Sequence, residues 1–475
     1  MNALVFNHFF DHDITALERG KGIHQLHIIP FLYFRRRALR ILGKRIINGE
    51  LEDYNKPENE EPRRAWKKKT REIFDELHSV FRVDIFIVPS DTFCYIRDFI
   101  NCCKEKNIPV LVLQKETTIS PYTMEHHSKR VGREFPFIAD RMLLCSSRQK
   151  EFWLNAGTEE HKIKISGQPR FDLYVDSSQV KSFQELGLNV STDRPVILFF
   201  SYDLDAYAPS SNSTKQDEVW RPLREDTEEA LLSLARDGYQ ILIKPHPQQR
   251  TKDEVQRLKK LMGEHWHRDV FWIDRIADAR HLIANADCVV GFQTTGLYEA
   301  MLAGKQVVYT HWTSAVENSQ EKLIPFWKHP TALSIAKSKQ ELIDLVKNSR
   351  DKPLEKVMEL RREITVEHIG EFDGLSTSRA WEACEELTAN RIIEEAPAIP
   401  PSKAWARFVL SKARSIFYRG LSRLSAPLFL SSRLLHSILS QSMKFKAPQT
   451  EEHIKQRLSS FADFWDDYAK SIYGK

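Results

Sequence analysis

The 475-residue chain sets 70 Lys+Arg against 65 Asp+Glu, a formal charge of +5, with 41% hydrophobic and 11% aromatic residues. This apolar content excludes wholesale disorder, and the length suits two or three domains. No run of eighteen apolar residues occurs and mean hydropathy is −0.45, so a membrane-spanning helix is not expected.

From the start, Met1 to Asp13 carries acids where a signal peptide needs a basic start and a long apolar stretch. Short apolar runs predict strands at Ala3–Asn7, Gln25–Pro30, Val83–Pro89, Pro109–Gln114, Arg141–Cys145 and Lys162–Ser166. Helical periodicity lies between them at Trp66–Phe81, Phe93–Lys106 and Arg148–Ala156, whereas Glu52 to Lys69 reads as a charged loop running into a helix. A weakly apolar connection spans Val175 to Pro195, and a second series of runs follows at Val196–Phe200, Gln240–Ile243, Val270–Ile273, Cys288–Gly291 and Gln306–Tyr309. Strands alternating with helices imply parallel sheets, so the fold expected is α/β with two tandem Rossmann-like domains, at 1–175 and 195–350. Helical material at 351–393 is expected to pack on this body, and after the Pro-rich break at Ala396–Pro401 a helical, basic C-terminal appendage occupies 403–475. The six cysteines (Cys94, Cys102, Cys103, Cys145, Cys288 and Cys384) form no CxxC pair, which fits a reducing cytoplasm.

Ligands of doubly wound domains sit at the carboxyl ends of the strands, so the loops there carry the chemistry. In Lys244-Pro-His246-Pro247 a buried strand delivers an imidazole between two prolines, with Lys244 as a nearby cation; an incidental His in a Pro-terminated strand is the plainer alternative. In Gly291-Phe-Gln293-Thr294-Thr295-Gly296-Leu-Tyr-Glu299 a strand passes through a Gly/Thr turn into a helix, whose free N–H groups and hydroxyls favour an anion. Glu299, one turn in, is placed to reach a ribose; a mere N-cap and a solvated acid are the alternative.

These residues resemble a known family. Lys-Pro-His-Pro at 244–247, the Gly/Thr turn, and Glu-Ala-x-x-x-Gly at 299–304 look like the donor half of GT-B glycosyltransferases. Nearest are bacterial enzymes with CMP- or CDP-activated donors: capsule Kdo transferases, polysialyltransferases and teichoic-acid glycerophosphotransferases. Gly167-Gln-Pro-Arg-Phe-Asp172 matches a Gly-x-Pro-Arg-x-Asp run of that superfamily, and the resemblance spans Val83 to Tyr309. It implies that His246 contacts the donor phosphate with help from Thr294 and Thr295. The donor-binding set becomes Lys244, His246, Gln293, Thr294, Thr295, Gly296 and Glu299.

The carboxylate partner stays open among three. Glu116, beside Lys115 at the end of a buried strand, suits a general base kept ionised by its neighbour. Asp203 and Asp205 follow the Val196–Phe200 strand, and some β-Kdo transferases of the resembled superfamily use a covalent carboxylate adduct; Asp203 is favoured slightly over Asp205. Asp-x-Asp is also the metal signature of GT-A enzymes, but GT-B relatives need no metal, so neither metal nor cofactor is expected. Arg170 and Asp172 are read mainly as a structural brace, with Arg170 and Lys115 supporting the site. His8, Asp11, His12 and Asp13 match no tetrahedral metal spacing and read as an acceptor loop or a solvated turn, and His126-His127 as exposed.

Between Ser402 and Ala447 stand nine Lys/Arg (Lys403, Arg407, Lys412, Arg414, Arg419, Arg423, Arg433, Lys444 and Lys446) and no acid, so the rest of the chain sums to −4. Apolar residues at 405, 408, 409, 416, 417, 421 and 424, then from Leu428 to Leu439, describe two basic amphipathic helices on an anionic membrane. Packing back on the body is the alternative, and no nucleic-acid motif appears. Arg35, Arg36, Arg37 and Arg40 add a second basic cluster, for the membrane or an anionic acceptor. The expected protein is a cytoplasmic glycosyltransferase, peripheral on the inner membrane face. It would move Kdo or a related acid from a CMP-sugar to a surface polysaccharide or glycolipid. The alternatives are a CDP-glycerol or CDP-ribitol polyol-phosphate transferase, a non-hydrolysing UDP-sugar epimerase and an inactive GT-like membrane scaffold.

Overall fold

A computed structural model describes residues 1–8, 10–48, 51–115, 120–191, 193–204, 219–246, 249, 252–274, 277–348, 355–423 and 451–473. Among the described residues twelve strands form two six-stranded parallel sheets. The first contains β1 (Asn2–Asn7), β2 (Gln25–Pro30), β3 (Ile85–Val88), β4 (Val110–Leu113), β5 (Arg141–Leu144) and β6 (Ile163–Ile165), in the order β2-β1-β3-β4-β5-β6. The second contains β7 (Val196–Phe200), β8 (Gln240–Lys244), β9 (Val270–Trp272), β10 (Cys288–Gly291), β11 (Gln306–Thr310) and β12 (Ser334–Ala336), in the order β12-β11-β10-β7-β8-β9. Both are covered by helices on two faces, which is why β3, β4 and β10 are buried along their whole length and read as continuous apolar runs. The chain therefore has the architecture expected, two Rossmann-like domains of the GT-B kind with a helical C-terminal part.

Three differences from the sequence reading stand out. The charged stretch before Trp66 is helical, with Leu51–Asn55 followed by Glu60–Phe81. Its acids Glu60 and Glu61 occupy the first turn, where the helix dipole favours them, and Trp66, Thr70, Ile73 and Leu77 bury one face. The edge strand β12, Ser-Ile-Ala, has a single large apolar residue and was not read as an apolar run. Asp11, His12 and Asp13 open the helix Asp11–Arg19 instead of crowding a loop.

Helix Glu355–Ile369 packs beside Gly296–Leu302 of the second domain, and Ser376–Thr388 crosses back to the first. Gly370 stands at the crossing with φ +88, and a Cβ there would lie 2.0 Å from the Cys145 carbonyl oxygen, so only glycine fits. The returning helix buries Trp381 against the first domain, its Nε1 donating to Leu17 O at 3.1 Å.

In the appendage, Pro401–Ser422 forms one helix lying against Glu451–Tyr473, and the latter inserts Phe461, Phe464, Trp465 and Tyr468 into the core of the first domain. Residues 424–450, including the apolar series from Leu428 and the basic Arg433, Lys444 and Lys446, lie outside the described residues. Among the described residues no helix is long and apolar enough to cross a membrane. The second basic cluster is partly internal: Arg35 is buried, and Arg37 donates to Tyr33 O at 2.6 Å while lying over the Tyr33 ring.

Candidate functional site

In the second sheet the first strand, β7, lies between β10 and β8, so the direction of winding reverses beside it. Such a switch point opens a crevice outside the carboxyl ends of the strands. Three sequence-predicted segments leave from that edge: Ser201–Leu204 after β7, Pro245 and His246 after β8, and Phe292–Thr295 after β10. The main chain locks two of them together. Ser201 N donates to Lys244 O at 3.0 Å, and His246 N donates to Ser201 O at 3.1 Å. The buried Gln249 completes the clamp, its Oε1 accepting from His246 N at 3.2 Å and its Nε2 donating to Ser201 Oγ at 3.0 Å. Pro245 restricts the backbone before His246, while Pro247 lies outside the described residues.

Lys244 ends β8 buried, its Nζ donating weakly to Pro245 O at 3.4 Å. Burial, with the Lys244 charge as a second cause, pushes the His246 imidazole down to about 4, so it is neutral at neutral pH. A neutral imidazole beside a desolvated ammonium makes this edge a place for an anion: the ring offers an N–H, and an entering phosphate would offset the buried positive charge.

The turn after β10 is built by packing as well as by polarity. Thr294 Oγ1 accepts at 3.2 Å from the N–H of Gly296, the first residue of the helix Gly296–Leu302, leaving its hydroxyl proton to donate. A Cβ on Gly296 would fall 2.7 Å from the Phe200 ring, so glycine lets the end of β7 approach this helix start. Gln293, expected as a ligand residue, has partners within the protein. Its Nε2 donates to Tyr309 Oη at 3.0 Å and its Oε1 accepts from Ile324 N at 2.5 Å, so the buried carboxamide braces the turn from inside. Glu299 accepts from Tyr174 Oη at 2.7 Å. Burial pushes its carboxyl up, opposed by the Tyr174 hydrogen bond and by Arg170 and Arg280.

Across the crevice, Arg170 reaches two parts of the first domain. Its Nη1 pairs with the buried Asp13 carboxylate at 3.3 Å, and its Nη2 donates to Lys115 O at 3.1 Å. Asp13 also accepts from Gln168 Nε2 at 3.2 Å, which makes Arg170 the brace the sequence suggested. Asp172 accepts from Ser376 N and Thr377 N at 3.1 and 2.8 Å, fixing the linker to the returning helix. The two domains meet where Arg280 donates to Arg170 O and His12 Nδ1 lies 3.5 Å from Asp278. Against the cost of burial, the Arg280 hydrogen bonds and the His12 charge hold the Asp278 carboxyl well below its usual range. His8 stacks on Phe31 with ring centroids 4.4 Å apart, so His8, His12 and Asp13 point to different partners. His126 and His127 are exposed. Of the three candidate carboxylates, Asp203 sits half-buried in the β7 loop, while Glu116 and Asp205 lie outside the described residues.

Sequence reasoning missed the support behind the β7 loop. Arg224, fully buried, donates through Nη1 to Tyr202 O at 2.7 Å and through Nη2 to Glu254 Oε2 at 2.7 Å. Arg257 joins Glu254 and the buried Glu228, closing an ionic network that holds the residue before Asp203. Glu254 and Arg257 are one helical turn apart and were visible as a local pair, but their meeting with Arg224 is tertiary. Asp91 was missed too: it follows β3 fully buried, its Oδ2 accepting from Ile138 N at 2.8 Å, and burial pushes its carboxyl up to about 6.

No protein-family model matches the sequence, and no curated protein is found to match it. Solved structures similar to it include the UDP-GlcNAc 2-epimerase from Neisseria meningitidis bound to UDP-GlcNAc, 12% identical over 81% of this chain and 99% of that one, with a TM-score of 0.45. The UDP-GlcNAc 2-epimerase from Methanocaldococcus jannaschii is 14% identical over 81% and 99%, TM-score 0.48. The wall teichoic acid polymerase TagF is 12% identical over 82% and 89%, TM-score 0.47. The strand orders, not these distant likenesses, carry the fold assignment.

Proposed function

We propose that this protein is a metal-independent GT-B glycosyltransferase that moves a sugar from a nucleotide donor to a cell-surface polysaccharide or glycolipid. The donor we favour is CMP-Kdo or a related acidic CMP-sugar, bound by the second domain. The observation that carries the reading is the convergence at one switch point of Asp203, the clamped His246 with Lys244 behind it, and the hydroxyl turn at Thr294 and Thr295.

In this reading the donor phosphate lies between His246 and the turn. As the glycosidic bond breaks, negative charge grows on the leaving phosphate, where the imidazole N–H, the Thr hydroxyls and the Lys244 charge stabilise it. Glu299, steadied by Tyr174, faces the ribose. The acceptor hydroxyl enters from the first domain, and a carboxylate among Glu116, Asp203 and Asp205 acts as base or nucleophile. Arg170 holds the main chain of Lys115, the residue before Glu116. The enzyme works on the cytoplasmic face of the membrane, attached peripherally through the basic appendage, and the nucleotide sugar is substrate, with no cofactor invoked.

Thermal shifts with CMP, CDP, UMP and UDP, followed by assay of the released nucleotide, test it. Stabilisation by cytidine nucleotides and release of CMP with sugar transfer are expected. Preference for uridine, release of CMP with polyol-phosphate transfer, or no nucleotide binding at all would overturn it.

A further inference from the structure

The Pro401–Ser422 helix is built inside out. Towards Glu451–Tyr473 it turns Ala404, Phe408, Ser411, Ser415, Tyr418 and Ser422, a mostly small and polar face, with Ser411 and Ser415 buried. Trp405, Val409, Leu410, Ile416 and Phe417 are exposed instead, Trp405 to 64% and Ile416 to 71%. At about 100° per residue these five fall within one sector of roughly 140°, with only Ser402, Ala406, Ala413 and Gly420 of the helix between them. A water-facing helix of a globular protein has the opposite arrangement.

Charge specifies what covers this face. From Pro401 to Arg423 there are six Lys/Arg and no acid. Lys412 pairs with Asp466 at 3.0 Å, Arg419 with Asp466 at 2.5 Å, and Arg414 lies over the Trp465 ring at 4.4 Å, so the partner helix holds these cations along the borders of the apolar sector. Lys403 and Arg423 are exposed near its two ends. Asp463 and Asp466 offset Lys412 and Arg419, and the apolar sector with Lys403, Arg414 and Arg423 at its edge and ends complements an anionic lipid surface, in which the rings and branched chains enter the acyl boundary and these three cations meet headgroups.

We propose that Trp405, Val409, Leu410, Ile416 and Phe417 form the face by which this protein lies on an anionic bilayer. It deepens, and rests on, the peripheral attachment in the proposed function. The helix ends beside the acceptor half of the molecule. Tyr418 stacks on Phe461 with centroids 5.0 Å apart, and Ser460 and Phe461 line a small cavity with Asn7, Asp11, Pro30 and Phe31 at the carboxyl ends of β1 and β2. A protein docked this way presents the strand ends of its first domain near the lipid, which suits a lipid-linked acceptor.

Flotation of the full chain with vesicles of phosphatidylcholine containing 30% phosphatidylglycerol, and with phosphatidylcholine alone, reads the proposal. The wild type is expected to float with the anionic vesicles, more weakly at 0.5 M than at 0.1 M NaCl. Ile416→Glu/Phe417→Glu should reduce partitioning at least tenfold with Tm unchanged, and the milder Trp405→Gln should lower it several-fold. Binding by the wild type with both variants undiminished overturns this face while leaving membrane attachment standing; no binding by the wild type overturns the attachment itself. A large fall in Tm in the variants would mean that the chain's own residues cover the face. A wild-type dimer that the double substitution dissociates, read by light scattering, would mean that a second copy does. Either result overturns the proposal.

Discussion

The two domains share a parallel doubly wound sheet but furnish its carboxyl edge differently. In the first, the groups after the strands are largely turned on one another: Asp13 holds Arg170, Asp91 holds the Ile138 amide, and His8 stacks on Phe31. In the second, the main chain does the holding, through Ser201, Lys244, His246 and Gln249, and the side chains of His246 and Thr294 stand at the switch point. Topology offers both edges as sites, and the hydrogen-bond partners distinguish the bracing edge from the one we propose for the donor phosphate.

The largest test of that contrast is His246→Ala. Removing a positioned donor to a developing phosphate charge should lower kcat by about 10²–10³, with Tm nearly unchanged because the clamp is main-chain. Near-normal turnover from the folded variant would place the phosphate elsewhere. On the bracing edge the expected effect is on stability. Asp13→Ala leaves Arg170 without its buried partner and should cost about 3–5 kcal/mol in denaturant unfolding, and a loss under about 1 kcal/mol would contradict the brace. Gly296→Ala forces its Cβ against the Phe200 ring and should cost about 1–3 kcal/mol while raising KM for the donor; a neutral effect on both would mean that Phe200 turns aside freely.

The smallest expected effect is on pH dependence. Burial pushes His246 to about 4 and His368 to about 3, below the ordinary value of 6.5. Between those values and about 6.5 the unfolded chain binds more protons, so these residues favour folding at neutral pH and that contribution falls as the pH drops from about 6.5 towards 4. Asp91, raised to about 6, acts in the opposite sense over its own window from the ordinary 3.8 upward. His368→Gln should flatten the decline of Tm with falling pH, and an unaltered slope would show that His368 titrates normally.

Much of the fold was legible because parallel strands buried on both faces have to be continuous apolar runs. β2, β7 and β10 coincide with runs read from the chain, and β12 escaped because Ser-Ile-Ala carries a single large apolar residue, unlike the equally short β6 and β9. The candidate loops were legible because Pro, Gly and Thr mark turns with definite backbone demands at 244–247 and 291–296. The partners of Gln293 were out of reach because nothing local says that Tyr309 and the Ile324 main chain lie inside the turn. The network of Arg224, Glu228, Glu254 and Arg257 was out of reach because its members lie on two helices.

The same division holds for the basic appendage. The sequence by itself determined a segment rich in Lys and Arg, without acids and with apolar residues at helical spacing, since composition and period are local properties. Only the tertiary structure decided that Phe408 and Tyr418 turn inward while Trp405 and Ile416 turn out. That choice depends on which face meets the Glu451–Tyr473 helix, where Asp463 and Asp466 stand to draw Lys412 and Arg419 to the seam. Tyr418 stacked on Phe461 and the buried Ser411 and Ser415 fix the rotation of the helix, with the ion pairs along the edge of that seam, whereas helical period alone leaves the rotation free.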